Sequence, residues 1–232
     1  MASTDWGTLN DVIDATSVRR GVTNGIARPN GGGNFVFGCN SAVSTAGAFG
    51  LYAAQTNYAP LAKGGSISGA IQRGPSGGPL NFAPFFFLGL QANSVNATGY
   101  MLGPDNDDPH RIVMRKGALI SGLPAVSIGT QGILMAGTET FLNGTWLHLR
   151  FDMIANTNGD VILKGFRSDL TANPVTAPVW VPIPGCDVFV DDVLGVNSGS
   201  TPYVSGYVGF GFQTQDITRR AYFDQITVER QL

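Results

Sequence analysis

Apolar and polar positions alternate along this chain in short runs punctuated by Gly, Pro and Asn, the two-residue period of half-buried strands. The clearest run is Trp146 to Ile154. Leu147, Leu149, Phe151 and Met153 fall on one face, and His148, Arg150 and Asp152 on the other. Val161 to Phe166 follows across Asn156-Thr157-Asn158-Gly159-Asp160. Asn and Gly both tolerate positive φ, so the pair of runs predicts a hairpin. Ser66 to Arg73 alternates with Ile67, Gly69 and Ile71 on one face. Phe85-Phe86-Phe87-Leu88-Gly89-Leu90 is apolar throughout and follows Pro84, as expected of a central strand buried on both faces. Asn34 to Gly38, Ile112 to Lys116 and Gly132 to Ala136 read as further strands. Val208, Phe210 and Phe212 alternate with Gly209 and Gly211, and Tyr222 to Glu229 also alternates. These two runs flank Asp216-Ile217-Thr218-Arg219 and predict a second hairpin. Only Asp187 to Leu194, stopped by Gly195, reads as a short helix. Strands with one apolar face need a second sheet to cover it, so the expected fold is all-β, a two-sheet antiparallel sandwich.

Composition sharpens this picture. The 232 residues include 32 Gly and 13 Pro spread along the chain, which favours many strands and turns over long helices. Charged residues make up 13%, against roughly 25% in an ordinary soluble domain, so the surface must be neutral and polar or covered by neighbours. The net charge of −2 and the lack of a basic block leave no footprint for nucleic acid. No apolar run is long enough to span a membrane, and the start, Met1-Ala2-Ser3-Thr4-Asp5-Trp6, lacks the pattern of a signal peptide. Residues 1–33 differ in character from 34–232, which read as one domain. They form either a strand packed on the body or an N-terminal arm that docks on another subunit. Trp6, Arg19 and Arg20 are the candidate interface residues of that arm. Cys39 and Cys186 are expected to be two buried small hydrophobes rather than a bridge.

Four stretches carry a family resemblance. They are Gly144-Thr145-Trp146-Leu147-His148-Leu149-Arg150-Phe151-Asp152, Asn158-Gly159-Asp160-Val161, Gly206-Tyr207-Val208-Gly209-Phe210-Gly211-Phe212 and Ala221-Tyr222-Phe223-Asp224-Gln225-Ile226-Thr227-Val228. Together they resemble concanavalin A-like and laminin-G-like jelly rolls, well over residues 130–232 and loosely before that. The motifs imply a fold, not an activity. Gly31-Gly32-Gly33-Asn34-Phe35-Val36-Phe37 and Asp108-Pro109-His110-Arg111-Ile112-Val113 are also similar to stretches of tailed-bacteriophage particle proteins.

Candidate chemistry is sparse. Glycoside hydrolases on this fold carry Glu-x-Asp-x-x-Glu, which sets two carboxylates about 5 Å apart. Here the only glutamates, Glu139 and Glu229, stand ninety positions apart. Asp191-Asp192 is the densest acidic pair, but adjacent residues diverge on a strand or a helix. Ser76 lies in Gly74-Pro75-Ser76-Gly77-Gly78 without the strand–helix context of a nucleophile elbow. His110 and His148 have no partner at zinc spacing, and His148 is expected to be a satisfied histidine on a sheet face. Asp105, Asp107 and Asp108 are the candidate ligands for Ca2+. An EF-hand register from Asp105 would need Gly and Glu where His110 and Lys116 stand. Trp180, Tyr58, Tyr100 and Tyr203 are the candidate glycan-stacking residues.

The expected function is therefore non-enzymatic. The first reading is a virion structural protein, a capsid decoration or tail-associated component made in the host cytoplasm. It would act through interfaces with other virion proteins or with its own copies, a trimer being a common solution. The alternative is a glycan-binding module for host-surface attachment, and a glycoside hydrolase or lyase stands third. A groove with a close carboxylate pair would revive that last reading.

Overall fold

The computed structural model describes residues 10–11, 18–23, 36–41, 48–53, 64–74, 83–92, 98–105, 109–118, 132–169, 177–214 and 220–230. These residues form fifteen strands in two sheets, paired antiparallel throughout. One sheet runs β1 (Asn10–Asp11), β4 (Ala48–Ala53), β14 (Tyr207–Thr214), β6 (Ala83–Leu90), β7 (Thr98–Pro104), β8 (His110–Ala118) and β9 (Ile133–Phe141). The other runs β12 (Val181–Pro182), β11 (Val161–Ser168), β10 (Trp146–Ala155), β5 (Gly64–Arg73), β15 (Arg220–Arg230), β3 (Val36–Ser41) and β2 (Val18–Thr23). In that sheet β13 (Val188–Asp191) also pairs with β11. This is the all-β sandwich that the alternation required.

The core lies between the sheets. Ile67, Ile71, Leu149 and Phe151 of one meet Phe86, Leu102, Met114 and Phe210 of the other, all buried. The β10–β11 hairpin forms as expected, with Ala155 opposite Val161. Gly159 turns it at φ +95°, and the Asn156 N–H donates to the Asp160 carbonyl at 2.8 Å. Strand β6 is buried on both faces, with Phe85 2% exposed and Phe86, Phe87 and Leu88 fully buried.

Two expectations are corrected. Asp187 to Leu194 is not a helix. Val188 and Val190 pair with Lys164 and Ile162 as strand β13, and a turn follows. The β-branched Val-Phe-Val alternation outweighs the helix-like ending. The β14 and β15 runs do not form a hairpin either, because they belong to opposite sheets. Each is already flanked on both sides, β14 by β4 and β6, and β15 by β5 and β3. Their apolar faces meet instead across the core, where the rings of Phe210 and Phe223 lie 4.7 Å apart.

Residues 18–23 of the N-terminal segment pair with β3, and Arg19 and Arg20 stand opposite Asn40 and Cys39. Trp6 lies outside the described residues. β15 carries a bulge between Asp224 and Thr227 with Gln225 at φ +52°, opposite Gly69 of β5. A Cβ on Gly69 would lie 2.5 Å from the tip of the Ile226 side chain and 3.0 Å from the Asp224 carbonyl oxygen, so the bulge packs closely over this glycine.

Candidate functional site

The outward face of the eight-stranded sheet is laid out by register. Across β10, β5 and β15, Trp146, Gln72 and Tyr222 form one row, and His148, Ala70 and Asp224 the next. Arg150, Ser68 and Thr227 follow, then Asp152, Ser66 and Glu229. Side chains two apart on a strand share a face, so the polar half of the β10 alternation becomes one wall of this surface.

The last two rows open into a cleft of about 230 Å³, lined by Ser66, Arg150, Asp152 and Glu229 with Gly65, Met153 and Ile154. The Arg150 guanidinium joins both carboxylates. Its Nε lies 2.7 Å from Asp152 Oδ1, and its Nη1 lies 3.1 Å from Glu229 Oε2. The Ser66 hydroxyl donates to Glu229 Oε2 at 3.2 Å. Burial raises the Asp152 carboxyl above the usual aspartate range, and the nearby Glu229 adds to this against the pull of Arg150. Lys164 stands opposite Asp152 on β11.

Further along β10, the Trp180 ring packs on His148 at 4.7 Å between centroids, tilted by 57°. Trp180 keeps part of its surface in solvent. His148 is only 3% exposed, burial lowers its pKa to about 4, and its Nδ1 has no hydrogen-bond partner among the described residues. It lies on the sheet face as expected, but as a neutral, incompletely satisfied imidazole under an indole. The sequence singled out Trp180 for stacking. It did not single out Ser66 or the Asp152–Glu229 pairing, which exists only through the sheet register.

A second charged cluster lies at the sandwich edge. Lys116 Nζ is 2.7 Å from Asp191 Oδ2, with both side chains essentially buried at 2% and 0% exposure. Tyr100 Oη donates to the same carboxylate at 2.5 Å and accepts the Tyr203 N–H at 2.9 Å. Lys116 also donates to the Ser198 hydroxyl and to the Ser200 and Thr201 carbonyls, and sits 5.1 Å from the centre of the Tyr203 ring. Tyr100 is fully buried, so it is not the surface stacking residue its type suggested. Burial and its bond to Asp191 hold its phenol protonated. Tyr203 is half-buried against Tyr100 and lies apart from Trp180. Tyr58 lies outside the described residues.

Asp105 is also accounted for. Its carboxylate accepts the Arg111 N–H at 2.9 Å and the Arg111 Nε–H at 3.2 Å. Asp107 and Asp108 lie outside the described residues, and among those described no three His, Cys, Asp or Glu side chains cluster to hold a metal. Asp191 and Asp192 diverge as expected, Asp191 inward to Lys116 and Asp192 onto the N–H groups of Leu194, Val196 and Asn197. Cys186 is a buried free thiol with its pKa pushed up to about 12 by burial. Glu139 pairs with Arg167 at 2.6 Å, away from Glu229.

No family model matches the chain, and no curated protein matches it in sequence. Solved structures do share its fold. The carbohydrate recognition domain of Emp47p is 10% identical at a TM-score of 0.53, covering 97% of this chain and 95% of that one. The PL-14 alginate lyase from Aplysia kurodai is 9% identical at a TM-score of 0.54, covering 97% of this chain and 91% of that one. A protein of unknown function from Shewanella oneidensis MR-1 is 10% identical at a TM-score of 0.52, covering 96% of this chain and 77% of that one. At such identities the likeness is one of fold, and the fold is the concanavalin A-like jelly roll. Function has to come from the site.

Proposed function

We propose that the protein is a glycan-binding module that uses the outward face of its eight-stranded sheet. One observation carries this reading: a partly exposed indole, Trp180, shares a sheet face with an open cleft of hydrogen-bonding side chains. Sugars offer an apolar ring face and a rim of hydroxyls. An aromatic side chain covers the first, and Arg150, Asp152, Glu229 and Ser66 can exchange hydrogen bonds with the second. The carbohydrate recognition domain among the fold relatives supports the same reading.

The reading is one of binding without turnover, and Arg150 supports it. A hydrolase needs one of its two carboxyls protonated and the other free to attack. Here one guanidinium engages both, at 2.7 and 3.1 Å.

The setting we propose is a bacteriophage particle, where such a module would serve host attachment. The low charge and the similarity to tailed-phage stretches support it. So do Leu194 and Val196, which are 80% and 76% exposed and suit contact with virion partners or with further copies of the chain.

The test is a glycan array probed with the purified protein, followed by calorimetry on any hit. Binding that is lost in Trp180→Ala and Arg150→Ala, both still folded, supports the reading. A blank array, or binding indifferent to both substitutions, removes it.

A further inference from the structure

We infer that this face recognises neutral glycans and discriminates against uronate-bearing ones, because the one cation among the described residues of its cleft is already engaged by two carboxylates. The inference rests on the glycan-binding reading above. The described lining of the cleft holds one cation, Arg150, and two carboxylates, Asp152 and Glu229, and Lys164 stands opposite Asp152 on the neighbouring strand. Arg150 contacts both acids, at 2.7 and 3.1 Å. Ser66 spends its hydroxyl on Glu229.

A uronate carboxylate entering this space would need a guanidinium or ammonium as its partner. It could reach Arg150 only at the N–H groups the two protein carboxylates leave over, and it would then lie beside both of them. Like charges at such separations repel, and more strongly where water is partly excluded. Asp152 is 18% exposed and Arg150 26% exposed, so screening here is incomplete.

A neutral sugar meets no such obstacle. Its hydroxyls can donate to the outer lone pairs of Asp152 and Glu229 and accept from the remaining N–H groups of Arg150 while the ion pairs persist. Each carboxylate has about four acceptor positions, more than one Arg fills.

The stacking element sets the extent of the ligand. His148, under Trp180, and Asp152 are four residues apart on β10, roughly 13 Å at strand rise. A di- or trisaccharide lying along the strand would reach from the indole to the cleft.

The experiment compares manno-, cello- and chitin-derived oligosaccharides with oligomannuronate and oligogalacturonate by calorimetry, at low and at moderate salt. The expected result is binding of at least one neutral series, nearly independent of salt, with uronates weaker by on the order of tenfold or more. The double variant Asp152→Asn, Glu229→Gln keeps shape while leaving Arg150 and Lys164 unbalanced. It is expected to gain salt-sensitive uronate binding, and a thermal melt confirms that it is folded. Uronates binding the unaltered protein as well as or better than every neutral series would overturn the inference yet leave the glycan-binding reading standing. No binding of either class would remove that reading and the inference with it. The unaltered protein alone decides between these outcomes should the variant fail to fold.

Discussion

Two clusters in this protein use the same chemical groups to opposite ends. At the sandwich edge, Lys116 and Asp191 are sealed from solvent, and Tyr100, Ser198 and backbone carbonyls complete their hydrogen bonds. On the outward face, Arg150, Asp152 and Glu229 also pair, but the glutamate side chain is 59% exposed and a cleft opens over them. An ion pair whose remaining lone pairs and protons are all filled internally holds structure together. One that keeps unfilled hydrogen-bonding positions facing water can be read by a ligand. The Lys116–Asp191 pair ties β8 to β13 and to the turn after it, whereas the Arg150 group joins strands that the sheet already holds.

The sharpest way to break this comparison is Lys116→Met. It leaves the Asp191 carboxylate buried without its cation, and a loss of about 3–5 kcal/mol in unfolding free energy is expected by urea denaturation. Arg150→Met, on the open cluster, is expected to change stability by less than about 1 kcal/mol. Equal losses would mean that the two clusters are not different in kind.

The next effect is one of pH. The His148 pKa is lowered to about 4 by burial from an ordinary 6.5. The unfolded chain therefore binds a proton that the folded one refuses, and stability falls as pH drops from about 6.5 towards 4. A loss on the order of 2–3 kcal/mol across that window is expected in denaturation midpoints, and His148→Gln should flatten it. Asp152 works the other way. Its raised pKa makes the folded state the better proton binder, so its own contribution grows as pH falls through that pKa.

Tyr100→Phe removes one hydroxyl from the sealed cluster, and about 1–3 kcal/mol should be lost with glycan binding unchanged. The smallest stability effect is expected for Trp180→Ala, within about 1 kcal/mol. The same change should weaken glycan binding by roughly tenfold, as judged by calorimetry. A variant at Tyr100 that abolished binding, or one at Trp180 that left it intact, would reverse the roles assigned to the two regions.

What could be read from the sequence was whatever is local. The β10–β11 hairpin shows itself in strict alternation around Asn158-Gly159, and the doubly buried β6 in its unbroken apolar run. The second hairpin fails for the same reason: alternation says which residues face a core but not which sheet they belong to. Asp187 to Leu194 is short, so a few β-branched residues decide between two states. The site was the least legible part. Asp152 and Glu229 belong to strands that never touch, and each finds the other because both stand opposite Ser66 of β5. A search for carboxylates at fixed spacing along the chain cannot find a pair assembled by a third strand. The stacking indole was visible as a residue type, but not its position over His148.

The bulge in β15 has a genetic consequence. Before it, Asp224 faces Ala70; after it, Thr227 faces Ser68, so the strand has gained one residue on its partner. Removing Gln225 alone would even the count, with Ile226 opposite Gly69 and Thr227 still opposite Ser68. Glu229 would go on facing the cleft and Val228 the core, because the extra residue is the one that breaks the alternation. The strand can thus lose one codon at the bulge and keep its parity, whereas a one-residue change in the regular stretches has no such slack.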